Sequence, residues 1–360
     1  MKPEVERRFE AIGIDHITFA VYDREYWKRI LERIGFASRP TTEERYKTSL
    51  SWGGVNVELV SPIPGYHYHD SIRNFLKRNG EMQVYSVAVR VDDLLKANLE
   101  FVNRGHYTSA EISVSPDAWG PASRLAIDTP HLESEVNWEL VQRPPKFKPE
   151  TICRDTLAPV AVDHLALAVK NLKKWESFYH ALGFKTIYAP PDDLIHGEYS
   201  GMKTVAVRRG GWTVALVEGT DGERISQVSA YADAHGNHSV QHAALRFEEL
   251  PPALAELQEK GARFRFRKVE ANLRGDLSDI MHEGKDHSGR LLQAFTEPFN
   301  QGGFFFETIQ RLPEKATVEE TRDAFDDGTV IGLYESIENE EISGSAGLIF
   351  PEAVMRRGII

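Results

Sequence analysis

A chain of 360 residues is long enough for two domains of ordinary size, each with its own core, and 41% hydrophobic with 27% charged residues is a globular composition. A formal net charge of -11, with no Lys/Arg-rich tract, argues against a nucleic-acid groove or an anionic membrane surface as partner. No run approaches a membrane span, MKPEVERRFE carries no apolar signal core, and the lone Cys153 permits no internal disulfide, so a cytoplasmic protein is expected.

The elements come in two rounds. IDHITFAV (residues 14–21) alternates as a strand, and REYWKRILERIGF follows as a helix stopping at Gly-Phe. VYSVAVRVDDL (84–94) is a strand feeding a helix that runs to Gly105, and NWELVQR (137–143) is a further strand. PPKFKPETICRDTLAP (144–159), rich in proline and charge without a period, reads as a linker. Then the series restarts. VDHLALAV (162–169) and KKWESFYHALGF repeat the first strand and helix, VQHAALRFEEL (240–250) with Gly261 repeats the second block, and FFETIQR (305–311) repeats the third strand. A glycine after each helix takes the left-handed C-cap conformation without steric cost. Short strands flanking helices in duplicate predict an α+β fold of helices on curved, antiparallel-rich sheets. The domains are expected at 1–148 and 149–360. A helical segment broken at Asp327-Gly328 and a mixed tail follow Arg311, outside both copies.

Comparing the copies isolates the chemistry. His16 corresponds to His164 and Glu139 to Glu307, but Ser86 stands where the second copy has His242. Only the C-terminal copy therefore owns a two-His, one-carboxylate set. On the His164 strand Leu165, Leu167 and Val169 form a core face, while Ala166 and Ala168 leave room beside the histidine. Glu307 sits in an apolar Phe304–Phe305–Phe306 run, where a bare carboxylate is costly to bury and a metal ion would resolve the cost. Two imidazoles and one carboxylate on one side of an ion form the facial set of non-haem Fe(II) oxygenases. Zinc is a chemical alternative. Without a metal, the two histidines would be hydrogen-bonded strand residues and Glu307 would pair with an arginine such as Arg246. His67, His69, His235 and His238, in Gly/Pro/Asn-rich turns, read as solvated side chains rather than ligands.

VDHLALAV, SVQHAALRF, SGRLLQAFTEP, GGFFFETIQR and LYESIENEE, in that order, resemble the 4-hydroxyphenylpyruvate dioxygenase family, with its relative 4-hydroxymandelate synthase, in the vicinal oxygen chelate superfamily. The resemblance is strong over 162–340 and weak before it. It implies a duplicated fold of paired βαβββ modules, with Fe(II) held by His164, His242 and Glu307 in the C-terminal domain. It also implies pocket glutamines at Gln227, Gln241 and Gln293, a pocket wall including Phe305, and a C-terminal lid over 325–338 led by Phe325. The activity it implies is oxidative decarboxylation and hydroxylation of one 2-oxo acid by O2, as in aromatic amino acid catabolism, without 2-oxoglutarate. A homo-oligomer is compatible with it. Strict alternation, however, points Gln241 away from His242. Two departures concern the ring end of the pocket: Val217 stands where the family has Asn, and AFDDGTV puts Thr329 and Val330 in place of the lid's Asn-Phe. A non-phenolic 2-oxo acid is thus an alternative substrate. An extradiol dioxygenase, without such a lid, and a non-catalytic metal- or ligand-binding protein are the rivals.

Overall fold

The computed structural model describes residues 8–40, 46–105, 107–108, 111–128, 133–144, 157–190, 194–197, 199–265, 277–285, 289–313, 325, 330–334, 336–338 and 347–351. The expected boundary at 148/149, Cys153 and Asp327 to Thr329 lie outside them.

In the N-terminal half β1 (Ala11–Ala20) is followed by α1 (Arg24–Ile34), β2 (Ala37–Ser38), β3 (Lys47–Trp52) and β4 (Val55–Val60). Then come α2 (His69–Asn79), β5 (Gln83–Val91), α3 (Leu94–Asn103), β6 (Tyr107–Thr108), β7 (Ser113–Asp117), β8 (Gly120–Asp128) and β9 (Asn137–Gln142). The C-terminal half opens with β10 (Ala161–Ala168), α4 (Leu172–Ala181), β11 (Lys185–Tyr188), β12 (Leu194–His196), β13 (Gly201–Arg209) and β14 (Trp212–Thr220). It continues with α5 (Gln227–His235), β15 (Ser239–Arg246), α6 (Leu250–Glu259), α7 (Leu277–Ile280), β16 (His282–Lys285), β17 (Gly289–Phe295) and β18 (Phe305–Pro313).

The duplication holds along the eight-strand path of each sheet, with β7 added beside β8 and β12 beside β13. One sheet runs β2-β3-β4-β1-β5-β9-β8-β6 and the other β11-β13-β14-β10-β15-β18-β17-β16. In each, the first strand lies parallel to one neighbour (β4, β14) and antiparallel to the other (β5, β15), which is parallel to the next (β9, β18). Helix ends follow sequence signals: Asp23, Asp93 and Asn171 accept a backbone N–H at three N-termini, and Gly105 and Gly261 adopt φ of 81° and 84° just past α3 and α6.

The halves share one apolar core. Phe19 packs edge-on against Phe304, Trp52 against Phe247, and Trp138 meets Trp212 at 5.1 Å. Around an approximate dyad, the Gly53-Gly54 turn donates Gly54 N–H to Pro159 C=O at 2.8 Å, and the Gly210-Gly211 turn donates Gly211 N–H to Ala11 C=O at 2.6 Å. A Cβ at Gly54 or Gly211 would stand 1.9 Å from a carbonyl oxygen of the other half, so only glycine fits.

Candidate metal centre and pocket

His164, His242 and Glu307 lie on β10, β15 and β18, which are adjacent, so the ligands meet without the sheet having to close on itself. His164 is opposite Ala244, and Ala244 is opposite Glu307. The ligand atoms lie within 4.8 Å of one another and all three residues are buried. His164 Nε2 and His242 Nε2 stand 3.3 and 3.4 Å from the same oxygen, Glu307 Oε2.

The tie behind His164 is present in the sequence as the Asp-His pair and the closing Arg of each copy, a signal carried by the duplication itself. Asp163 Oδ1 is 3.1 Å from His164 Nδ1, and Arg311 donates to both Asp163 oxygens at 2.7 and 3.0 Å. Asp163 fixes Nδ1 as the donor and leaves Nε2 facing Glu307. The arginine of this site is therefore Arg311, bound to Asp163, rather than Arg246 bound to Glu307.

The electrostatics turn on one buried carboxylate, Glu307, and on the charge its neighbours take up in response. Burial disfavours a charged His164, but Glu307 and Asp163 outweigh it and raise the pKa to about 9. Burial pushes Glu307 up, and His164 with the His242 hydrogen bond brings it down to about 2. Burial lowers His242. Glu307 Oε1 and His242 Nδ1 are buried with no hydrogen-bond partner, a costly arrangement in a finished core. A divalent ion would answer the orphaned carboxylate oxygen, and N/N/O donors suit a first-row metal.

Two β-bulges put neighbouring side chains where alternation would separate them. On β10 the pairing passes from Val162/Leu245 to His164/Ala244, leaving Asp163 extra beside its ligand. On β15 it passes from Ala166/His242 to Leu167/Val240, leaving Gln241 unopposed. Gln241 thereby lines the same cavity as His242, which removes the conflict with strict alternation.

That cavity, about 60 Å³ as accessible to the centre of a water molecule, is lined by the three candidate ligands and by Gln227, Gln241, Gln293, Val217, Phe325 and Val330. Ala166, Phe295, Leu333 and Tyr334, from segments the sequence marked, and Tyr188, Met202, Thr204, Ala206 and Ala215, which no motif marked, complete it. Gln241 Nε2 donates to Gln227 Oε1 at 3.2 Å. Phe305 stacks on the His242 ring, 4.9 Å between centroids, behind the cavity wall. Phe325 leans on His164 at 5.2 Å and stacks on Tyr188. Residues 330–334 and 336–338 are helical, and Tyr334 Oη meets Ser200 Oγ at 2.6 Å and Ser226 Oγ at 3.1 Å.

Of the other histidines, His67 is exposed, as read from its turn. His238 is not: it is fully buried, stacked 3.6 Å from Trp175, bonded by Tyr179 and Ser134, and held at φ 61°. Composition could not show that this turn is covered by the other half.

The fold is a duplicated vicinal oxygen chelate fold, and residues 163–277 match the Glyoxalase/Bleomycin resistance protein/Dioxygenase superfamily. More particularly, the chain is similar to several 4-hydroxyphenylpyruvate dioxygenases. It is 22% identical to that of Dictyostelium discoideum, over 91% of this chain and 98% of the relative. It is 25% identical to that of Yarrowia lipolytica, over 76% and 75%. Its fold matches a mutant of 4-hydroxymandelate synthase from Streptomyces coelicolor with a TM-score of 0.73 at 21% identity, covering 92% of this chain and 99% of that one.

Proposed function

We propose that the protein is a non-haem Fe(II) dioxygenase that oxidatively decarboxylates and hydroxylates a single 2-oxo acid, with 149–360 as the catalytic domain. The observation that carries this reading is the buried His164–His242–Glu307 set opening into one cavity with three glutamines. His164, His242 and Glu307 would hold the metal. When bound, Fe(II) supplies open positions for a chelating substrate and O2, and the reducing equivalent that O2 activation needs.

The chain's own residues do the rest. Asp163 and Arg311 fix the His164 ring, and Phe305 braces the His242 ring. Gln227, Gln241 and Gln293 offer amide N–H groups to the carboxylate and keto oxygens of the substrate. Phe325 and the helix carrying Val330, Leu333 and Tyr334 keep water from the cavity. Burial favours a neutral Glu307, and His164 with the His242 hydrogen bond keeps its carboxylate ionised.

Val217, Val330, Met202 and Leu333 give the cavity apolar walls. We therefore assign the substrate as a 2-oxo acid with an apolar side chain, handled in the cytoplasm and related to aromatic amino acid catabolism. The test is O2 uptake with matching CO2 release by the Fe(II)-loaded protein across aryl and alkyl 2-oxo acids. Coupled turnover without 2-oxoglutarate is expected. Efficient formation of homogentisate or 4-hydroxymandelate with apolar acids inert would overturn the side-chain assignment. Metal binding without any O2 uptake would establish a binding protein instead.

A further inference from the structure

The N-terminal half repeats the framework of the metal centre in the same register. His16 is opposite Ala88 and Ala88 is opposite Glu139, as His164, Ala244 and Glu307 are in the other half. Asp15 bonds His16 Nδ1 at 2.9 Å, and Arg143 grips both Asp15 oxygens at 2.6 and 2.7 Å. The bulges at Asp15 and Tyr85 are also repeated. His16 Nε2 lies 3.4 Å from Glu139 and 3.9 Å from Glu58.

What differs is the space in front. Pairing aligns Glu58 with Ala215, because Thr18 and Ala166, each two residues past the histidine, face them. It aligns Lys47 with Thr204 and Arg124 with Gln293 in the same way. Each of those C-terminal counterparts lines the cavity. In the N-terminal half the corresponding volume is filled by side chains. Arg124 Nη1 donates to Glu139 at 2.6 Å and its other nitrogen pairs with Asp117; Lys47 Nζ is 3.7 Å from Glu58. Trp119 stacks over His16 at 4.8 Å. Burial opposes a charged His16, yet Asp15, Glu139 and Glu58 raise its pKa to about 9. Two carboxylates facing a buried imidazole need compensating positive charge, and a guanidinium is the side chain that delivers it with fixed geometry.

We infer that Arg124 is a built-in cation standing in for a metal ion, and that its removal uncovers a second divalent-cation site formed by His16, Glu58 and Glu139. The ligands are one imidazole and two carboxylates, a set that takes Co(II), Mn(II) or Zn(II). Arg124→Gln tests it, since Gln is what the other half carries at the matching position. Co(II) binding is counted by equilibrium dialysis and visible absorption as the difference between variant and parent, so the result stands whatever the C-terminal site does. The variant is expected to bind one more equivalent than its parent, to lose it again in Arg124→Gln/Glu139→Gln, and not to gain it in Arg124→Lys. Thermal unfolding gives a second readout: Arg124→Gln should melt lower than its parent and be restored by Co(II) in a Glu139-dependent way. No added equivalent, or a variant that Co(II) neither loads nor refolds, overturns the inference.

Discussion

At the scale of single residues, the ligands are less telling than what holds them. Because Asp163 sets the His164 tautomer, Asp163→Asn should weaken Co(II) or Fe(II) binding by about 10–100-fold in a direct titration. His242→Ala should abolish C-terminal binding, and His16→Ala should leave it unchanged. A titration in which all three variants match the parent would remove the site assignment. His238 carries a pH prediction. Burial holds its pKa well below the ordinary 6.5, with Tyr179 donating to Nε2 and Nδ1–H donating to Ser134. The unfolded chain takes up a proton near pH 6.5 that the folded protein refuses. Stability is therefore full above about pH 6.5 and falls as pH drops below it, by about 1.4 kcal/mol per pH unit for one proton. Urea unfolding at pH 7.5 and 5.5 should show this loss, and His238→Asn, which tolerates the positive φ, should flatten it.

At the scale of elements, the bulges on β10 and β15 decide the site's content, and α5 and the C-terminal helix decide its closure. Helix α5 starts at Gln227 in the pocket and is pinned to the N-terminal half where Tyr231 Oη donates to Gln83 Oε1 at 2.8 Å. The half without a complete ligand set thus positions a pocket amide. The closing helix is fastened by Tyr334, whose partner Ser226 also caps α5. Deleting everything after Arg311 would test closure poorly, because Ile349 and Phe350 are buried in the shared core. Phe325→Ala is the cleaner variant. Metal affinity should hold within about threefold of the parent, while kcat/KM falls on the order of 10²-fold through lost orientation and water exclusion. Equal losses in both would make Phe325 a structural residue only.

At the scale of the molecule, the two halves share one apolar core and should fold as one unit. Gly54→Ala or Gly211→Ala would force a Cβ into the facing backbone and should cost about 1–3 kcal/mol, with both halves still melting in a single calorimetric transition. Two separated transitions would show that the halves are independent. Among the described residues no helix is long and apolar enough to cross a membrane. Substrate choice is also decided at this scale, since β13, β14, β17, α5 and the closing helix all contribute walls. An apolar end separates substrates by only about 1–3 kcal/mol per methylene, so Val217→Asn should recover part of a preference for a phenolic acid, read as a ratio of kcat/KM values.

The duplication, the helix ends and the three candidate ligands are legible in the residues alone, because each is a local pattern repeated with one informative difference, Ser86 against His242. The paired Gly-Gly turns, WGGV and RGGW, were legible on the same terms and mark the dyad. That Gln241 shares a face with His242, that His238 is buried, and that Arg124 and Lys47 fill the N-terminal counterpart of the cavity emerge only from the folded chain. Those outcomes turn on bulges, on coverage by the other half and on long side chains reaching across strands. A one-dimensional period carries none of these, because it fixes which way a side chain leaves its own strand and not what stands opposite.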